Sequence, residues 1–223
     1  MFVNPENYFS ILKETQAANA TLVAVSKTKP VEAIKELYDL GHRDFGENYV
    51  QELLNKEAQL PKDIRWHFIG HLQGNKVKYI APFVRLIHGI DSFKLLKEVN
   101  KQGGKNNRVI DVLLQVHIAQ EETKFGFSEE ELNTSFNHEL QELNNICVSG
   151  LMGMASFTED MNKVRNEFKN LKRIFDQHAQ LQTPNFKLQT LSMGMSADYK
   201  IALEEGSNLI RVGSLLFGKR QNG

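Results

Sequence analysis

The stretch TLVAVSKTKPVEAIKELYDLGHRDFGEN, residues 21–48, joins an apolar run to a helical pattern and then to a second short strand candidate, RDFGEN. In the segment LVAVS, four of five residues are apolar, which favours a buried strand. Pro30 suits the first turn of the following helix, and Gly41 suits the position after its end. The stretch therefore predicts a strand–helix–strand unit, with Lys27 and Lys29 in the loop after the first strand.

The same alternation continues to the end of the sequence. The candidate strands are TLVAVS, RDFGEN, RWHFIG, VRLIHGI, VIDVLLQVHI, ICVSGLMGM, KLQTLSM and LIRVGSLLFG. Helical patterns lie between them, and the longest, DMNKVRNEFKNLKRIFDQHAQL, has an apolar stripe at helical spacing formed by Met161, Val164, Phe168, Leu171 and Phe175. Strands that alternate with helices pair in parallel, because each return to the sheet needs a crossover.

Eight such strands predict an α/β fold, a (β/α)₈ TIM barrel. This fold typically takes about 250 residues, so 223 residues fit a compact version without inserted domains. An open doubly wound sheet would show the same alternation, and we prefer the barrel because of the strand count. No low-complexity linker divides the chain, so we predict a single domain over residues 1–223, with an extra helix over residues 1–19.

Composition argues against several classes of partner. Lys+Arg and Asp+Glu both number 27, and this balance gives no support for binding to nucleic acid or to a membrane surface. No apolar run approaches the ~20 residues of a membrane span, and the N-terminus lacks the pattern of a signal peptide. The single cysteine, Cys147, excludes an intramolecular disulfide and is expected to be a buried, inert thiol. We predict a cytoplasmic protein that binds neither nucleic acid nor membrane.

Two segments at the ends of the last two candidate strands suggest an anion site. LSMGMSADY contributes Ser196 just before a helical pattern, and IRVGS contributes Gly213 and Ser214. Backbone N–H groups at the start of a helix, together with a hydroxyl, suit a phosphate. Helix capping or a tight turn would explain each segment alone. The two together, in the loops where barrels often bind phosphate, predict a phosphate site.

The lysines after the first strand are candidates for covalent chemistry. Desolvation at a barrel mouth favours the neutral amine, which can react with a carbonyl group. Lys27 is nearer to the strand and is the better candidate, whereas Lys29 precedes Pro30 and is expected at the rim. Arg211 lies within the apolar run LIRVGSLLFG, although a guanidinium is costly to bury without partners. Its position leaves two alternatives open, a surface arginine and one that faces the barrel mouth.

Other motifs point away from metal and nucleotide chemistry. His67 and His71 are four residues apart, but WHFIGH is predicted to be a strand that runs into a loop, so a helical metal pair is not expected. GGKNNR lacks the spacing of a P-loop, and no G-x-S-x-G elbow is present.

The sequence resembles the pyridoxal phosphate homeostasis protein family, which consists of small single-barrel proteins that bind pyridoxal 5′-phosphate (PLP). The segments that carry the resemblance are AVSKTKP, FGENYVQE, WHFIGHLQGNK, TKFGF, LSMGMSADY and IRVGSLLFG. They occur in the family's order and extend over most of the chain. The barrel is also similar to the N-terminal domain of alanine racemase.

This resemblance implies that Lys27 forms the internal aldimine with the aldehyde of PLP. It implies that Ser196, Gly213 and Ser214 hold the phosphate group, with Ser192 beside them.

The resemblance gives three further residues a part in the cofactor site. Arg211 would face the pyridine nitrogen and discourage its protonation, which weakens the cofactor as an electron sink. Asn48 is a further expected cofactor-site residue, and Lys124 falls where racemases place an arginine near the phenolic oxygen.

The implied function is that of a PLP carrier with little or no catalysis. It would act in vitamin B6 and amino-acid homeostasis, with PLP-dependent apoenzymes as possible recipients, and we expect a monomer. The alternative is a PLP-dependent amino-acid racemase or another PLP enzyme. Racemases of this fold have a second, β-rich domain and a catalytic tyrosine from the partner subunit, for which a chain ending at Gly223 leaves no room. A Schiff-base aldolase acting on a sugar phosphate is a third hypothesis.

Overall fold

The computed structural model describes residues 2–119, 126–135, 140 and 142–218. Its parallel strands form a closed barrel in sequence order, and β8 pairs with β1. The strands are β1 Thr21–Val25, β2 Asp44–Glu47, β3 Arg65–Phe68, β4 Leu86–Ile90, β5 Ile110–Gln115, β6 Ile146–Met152, β7 Phe186–Ser192 and β8 Leu209–Val212. The predicted (β/α)₈ barrel is confirmed.

Helices cover the outside of the barrel and alternate with the strands. They are α1 Pro5–Ala17, α2 Val31–Asp39, α3 Val50–Gln59, α4 Val77–Ile80, α5 Phe93–Lys105, α6 Glu129–Ser135, α7 Met161–His178, α8 Tyr199–Glu204 and α9 Ser214–Phe217, and a 3₁₀ turn, Gly74–Lys76, precedes α4. Within the described ranges, no helix has both the length and the apolar character needed to cross a bilayer.

The core is divided by the alternation of side chains along each strand. Leu22 and Ala24 of β1 belong to the large cluster between strands and helices, whereas Val23 belongs to a smaller cluster inside the barrel. This interior cluster comprises Val23, Leu86, Leu113, Met152 and Leu209. These five side chains form an apolar part of the barrel interior.

The first helix, α1, lies beside the seam between β1 and β8. Asn4 caps α1, because its side chain accepts a hydrogen bond from the Asn7 N–H at 3.0 Å. The Asn7 side chain in turn donates to the Leu215 carbonyl of α9 at 3.0 Å. Tyr8 and Ile11 are buried beneath the helix. The chain before β1 is thus packed on the barrel.

The structure differs from the predicted elements at two places. The run predicted as a strand over 209–218 ends at Val212 and continues as α9, in which Leu216 and Phe217 are buried. A short apolar run fits either element, so periodicity alone could not find this boundary. Of the helix predicted over 128–143, the structure has α6, and residues 140, 142 and 143 are not helical; residues 136–139 and 141 lie outside the described residues.

Candidate functional site

A cavity of about 660 Å³ opens at the carboxyl ends of the strands. Loops after β1, β2, β7 and β8 contribute to its wall, together with the loop between β6 and α7. Six of the seven predicted site residues line it, namely Lys27, Asn48, Ser196, Arg211, Gly213 and Ser214. The lining residues that sequence reasoning did not single out include Ser156, Phe157 and Thr158.

The loops after β7 and β8 meet on one side of this cavity. The Gly213 N–H donates a hydrogen bond to Ser196 Oγ at 3.2 Å, which joins the two loops. The loop after β7 is tightly folded, because Asp198 Oδ1 accepts from the Met195 N–H at 2.6 Å. Gly194 has a φ of +95°, and a Cβ there would lie 2.5 Å from Ala202 Cβ. Only glycine therefore fits this turn, which sets the position of Ser196.

The loop that carries Lys27 is held from two sides. Thr28 has a φ of 65°, and its N–H donates to Glu52 Oε1 at 2.6 Å. Lys29 also lines the cavity, but its Nζ donates to the carbonyl oxygens of Phe217 at 2.8 Å and Gly218 at 3.2 Å. Lys29 thus joins this loop to the end of α9.

A buried charged cluster lies beneath the same loop. Lys56 Nζ donates to Glu47 Oε1 at 2.7 Å, Glu52 Oε1 at 2.6 Å and the Ser26 carbonyl at 2.8 Å. Burial raises the pKa of Glu47 to about 6 even though Lys56 is adjacent. Its Oε2 has no hydrogen-bond partner among the described residues. A buried ion pair of this kind fixes geometry more than it adds stability, and here it fixes the residue before Lys27.

Arg211 projects from β8 into the barrel and is only 5% exposed. Its Nη2 donates to the Gly153 carbonyl at 3.1 Å, and its Nη1 donates to Ser192 Oγ. Burial lowers the pKa of Arg211 to about 10, so the guanidinium stays charged at neutral pH. The sequence left two alternatives open, a surface arginine and one that faces the barrel mouth. In the structure, Arg211 faces the cavity at the barrel mouth.

Ser192 differs from its expected position. It is fully buried, does not line the cavity, and contacts Arg211 and His88 instead of the phosphate-suited loops. The reason is that Ser192 is the last residue of β7 and points into the barrel, whereas Ser196 lies in the loop beyond. The expected neighbour of the phenolic oxygen, Lys124, lies outside the described residues.

The two histidines considered as a metal pair have different partners. His67 Nε2 lies 3.1 Å from Asp44 Oδ1, and His71 Nδ1 lies 2.9 Å from Asp91 Oδ2. In the part of the chain that the structure describes, no three His, Cys, Asp or Glu side chains are grouped in a way that could hold a metal.

Cys147, which was expected to be buried, is half-buried in the structure. Burial raises the pKa of its thiol.

The fold and this site define a class of protein, the one built on the alanine racemase N-terminal domain. Residues 6–221 match the family model described as alanine racemase, N-terminal domain. An alanine racemase of Clostridium difficile 630 has the same fold, with a TM-score of 0.75 at 15% identity; the alignment covers 99% of this chain and 58% of the racemase.

Within that class, the chain belongs to the pyridoxal phosphate homeostasis protein family. The relative from Aquifex aeolicus is 46% identical, over 91% of this chain and 88% of the relative. The human relative is 38% identical, over 93% of this chain and 79% of the relative. Both are named pyridoxal phosphate homeostasis protein.

Solved structures of PipY from Synechococcus elongatus are also similar. PipY without PLP has a TM-score of 0.89 at 34% identity, and PipY with PLP bound has a TM-score of 0.82 at 33% identity. Each alignment covers 96% of this chain and 99% of PipY.

Proposed function

We propose that this protein binds PLP in the cavity at the carboxyl ends of the strands and acts as an intracellular carrier of the cofactor. The observation that carries the proposal is the composition of one cavity wall. An amine from the β1 loop, Lys27, lies in the same cavity as Ser196 and Ser214 from the β7 and β8 loops, with the charged Arg211 among them. These groups match the aldehyde, the phosphate and the pyridine nitrogen of PLP. PipY, a relative of the same fold, has a structure with PLP bound.

PLP supplies an aldehyde and an electron-withdrawing ring when it is bound. The Lys27 amine would add to the aldehyde carbon and release water, and the reverse addition of water would return a free amine and a free aldehyde. A reversible bond of this kind suits storage and delivery. Arg211 is a donor and holds a positive charge, so it would disfavour a proton on the ring nitrogen and thereby limit catalysis.

The phosphate would lie against the joined loops after β7 and β8. The hydroxyl groups of Ser196 and Ser214 can donate to its oxygens. The N–H groups of Ser196, Ala197 and Ser214 donate to none of the described residues, so they could donate to the phosphate as well. Asn48 would contact the cofactor from the β2 side.

The wider setting is part of the same proposal. We infer a single domain that works as a monomer in the cytoplasm and passes PLP to PLP-dependent apoenzymes. The single cysteine supports the cytoplasmic setting, because it fits a reducing compartment.

Binding of two ligands tests the phosphate site. In Ser196→Ala/Ser214→Ala, we expect the dissociation constant for PLP to rise at least about tenfold, because hydrogen bonds to a charged group are lost. Pyridoxal, which has the same aldehyde but no phosphate, should bind the variant and the wild type alike. Absorbance titration measures both constants.

Ser10→Ala, on the exposed face of α1, is the matched control and should leave both constants unchanged. Equal weakening of PLP and pyridoxal, or no weakening of either, would contradict the assigned phosphate site. If the PLP-loaded protein rapidly removed α-deuterium from a free amino acid, and Lys27→Ala abolished this exchange, the protein would be an amino-acid racemase or another PLP enzyme instead of a carrier.

A further inference from the structure

Polar side chains cross the inside of the barrel beneath the cavity. They come from β2, β3, β4, β7 and β8, and we call them the interior polar network: Asp44, His67, His88, Ser192 and Arg211. Consecutive members lie within hydrogen-bond distance of each other. The network therefore runs without a gap from the cavity to the opposite end of the barrel.

The three contacts between Ser192 and Asp44 have the distances of ordinary hydrogen bonds. Arg211 Nη1 donates to Ser192 Oγ, and Ser192 Oγ lies 3.2 Å from His88 Nδ1. His88 Nε2 lies 2.9 Å from His67 Nδ1, and His67 Nε2 lies 3.1 Å from Asp44 Oδ1. His88 is fully buried, and burial together with the positive charge of Arg211 holds its pKa well below the usual range.

The two ends of the network determine the direction of the first and the last hydrogen bond in it. A guanidinium can only donate, and an ionised carboxylate can only accept. Although burial alone would raise it, hydrogen bonds from Arg65 and His67 hold the pKa of the Asp44 carboxyl below its usual range, so Asp44 is ionised. Ser192 therefore accepts from Arg211, and His67 donates to Asp44. A chain of one direction between them has Ser192 donating to His88 and His88 donating to His67.

This direction fixes the protons on both histidines. His67 carries its proton on Nε2 and donates to Asp44, so its Nδ1 is an acceptor for His88. His88 also carries its proton on Nε2, so its Nδ1 accepts from the Ser192 hydroxyl. The alternative arrangement has Ser192 accepting from both of its neighbours and His67 donating from both ring nitrogens, and it differs by a second proton on the His67 ring.

We propose that Ser192, His88, His67 and Asp44 are positioning residues for Arg211. They supply an oriented acceptor for Nη1, while the Gly153 carbonyl accepts from Nη2. These two acceptors fix the plane of the guanidinium, which lines the cavity. His88 and Ser192, in the middle of the network, are fully buried, which strengthens the hydrogen bonds there.

The role toward the ligand rests on the proposed function, whereas the network itself can be tested without a ligand. Long-range ¹H–¹⁵N NMR of the full chain with no cofactor added reports which ring nitrogen is protonated. We expect neutral Nε2–H tautomers at both His67 and His88. A proton on Nδ1 of either ring, or on both nitrogens of one, would overturn the directed network.

The second test uses ligands that differ at the pyridine nitrogen. In His88→Phe, we expect the dissociation constant for PLP to rise about tenfold, because Arg211 loses its oriented acceptor. The 1-deaza analogue of PLP has carbon in place of that nitrogen, and its affinity should stay within about twofold. Weakening of both ligands alike would overturn the positioning role, because it would reflect a general disturbance of the cavity.

Two controls keep this test decisive. His178→Phe replaces a buried histidine of α7 that lies outside the network and should not change either affinity. If His88→Phe does not fold, Ser192→Ala removes a single oxygen and should give the same two ligand responses. If the wild type bound neither ligand, the proposed function and the positioning role would both be wrong. The histidine tautomers would still decide whether the directed network exists.

Discussion

His42 and Glu47 lie near opposite ends of β2, and burial shifts the pKa of each toward its neutral form. Burial lowers the pKa of His42 to about 4, although its ring contacts the Asp44 carbonyl at 2.8 Å. Burial raises the pKa of Glu47 to about 6, although Lys56 Nζ lies 2.7 Å from its Oε1. The two side chains therefore give the free energy of unfolding opposite dependences on pH.

His42 should make the protein sensitive to mild acid. Between pH values of about 6.5 and about 4, the unfolded chain binds the proton of His42 more readily than the folded one, so stability falls as the pH falls. On going from pH of about 7 to about 4.5, we expect the wild type to lose about 2 kcal/mol more than His42→Phe. Urea unfolding of both proteins at the two pH values measures this difference.

Glu47→Gln is the control with the opposite sign. The folded protein binds the proton of Glu47 more readily between pH values of about 4.5 and about 6, so the wild type should lose stability relative to this variant as the pH rises. Parallel pH profiles for the wild type and His42→Phe would contradict a buried, neutral His42.

Sequence reasoning found the residues at the cavity more easily than the residues behind it. Lys27, Ser196 and Ser214 could be predicted because they follow apolar runs, at positions where a barrel has its loops. His88 could not be predicted, because its partner Ser192 is 104 positions away and contacts it only across the closed barrel. Glu52 and Lys56 have the i, i+4 spacing of an ordinary surface pair, and nothing in that spacing shows that Glu47 lies buried beside them.

Strand β6 has an irregular register that depends on one glycine. The pairing of β6 with β7 shifts between Val148 and Gly150, as does its pairing with β5 near the same point. A Cβ on Gly150 would lie 1.8 Å from the carbonyl oxygen of Thr190 in β7. The two strands could not keep this separation with any other residue there.

We therefore expect Gly150→Ala to destabilise the protein by about 3 kcal/mol or more, because backbone atoms must move to relieve the contact. Gly74→Ala is the matched control, since its Cβ would meet only Glu98 Cγ at 3.9 Å. The control should change the free energy of unfolding by no more than about 0.5 kcal/mol. Urea unfolding of the two variants decides the point, and equal effects would contradict the close approach of β6 and β7.

The order of strands and helices was largely predictable, and the boundaries were less so. Apolar runs flanked by helical patterns identified all eight strands of the barrel. The end of β8 was missed because the residues after Gly213 are as apolar as those before it. What distinguishes them is the packing of Leu216 and Phe217 in α9, which a linear pattern does not contain.

Closure of the barrel makes the candidate site possible. Because β8 pairs with both β7 and β1, the loops with Ser196 and Ser214 come next to the loop with Lys27. Lys29 reinforces this seam, since its Nζ binds the carbonyl groups at the end of α9. In an open sheet, the first and last strands would not be paired. The prediction of the fold class was therefore also what allowed the prediction of the site.

The central claim is that Lys27, of all the lysines, forms the covalent bond to PLP. The direct measurement is peptide mapping by mass spectrometry after the PLP-loaded protein is reduced with borohydride. We expect the reduced phosphopyridoxyl group on the peptide that contains Lys27, and we expect Lys27→Arg to lose it while Lys29→Arg retains it. A modification on Lys29 or another lysine of the wild type, or none on any lysine, would contradict the account.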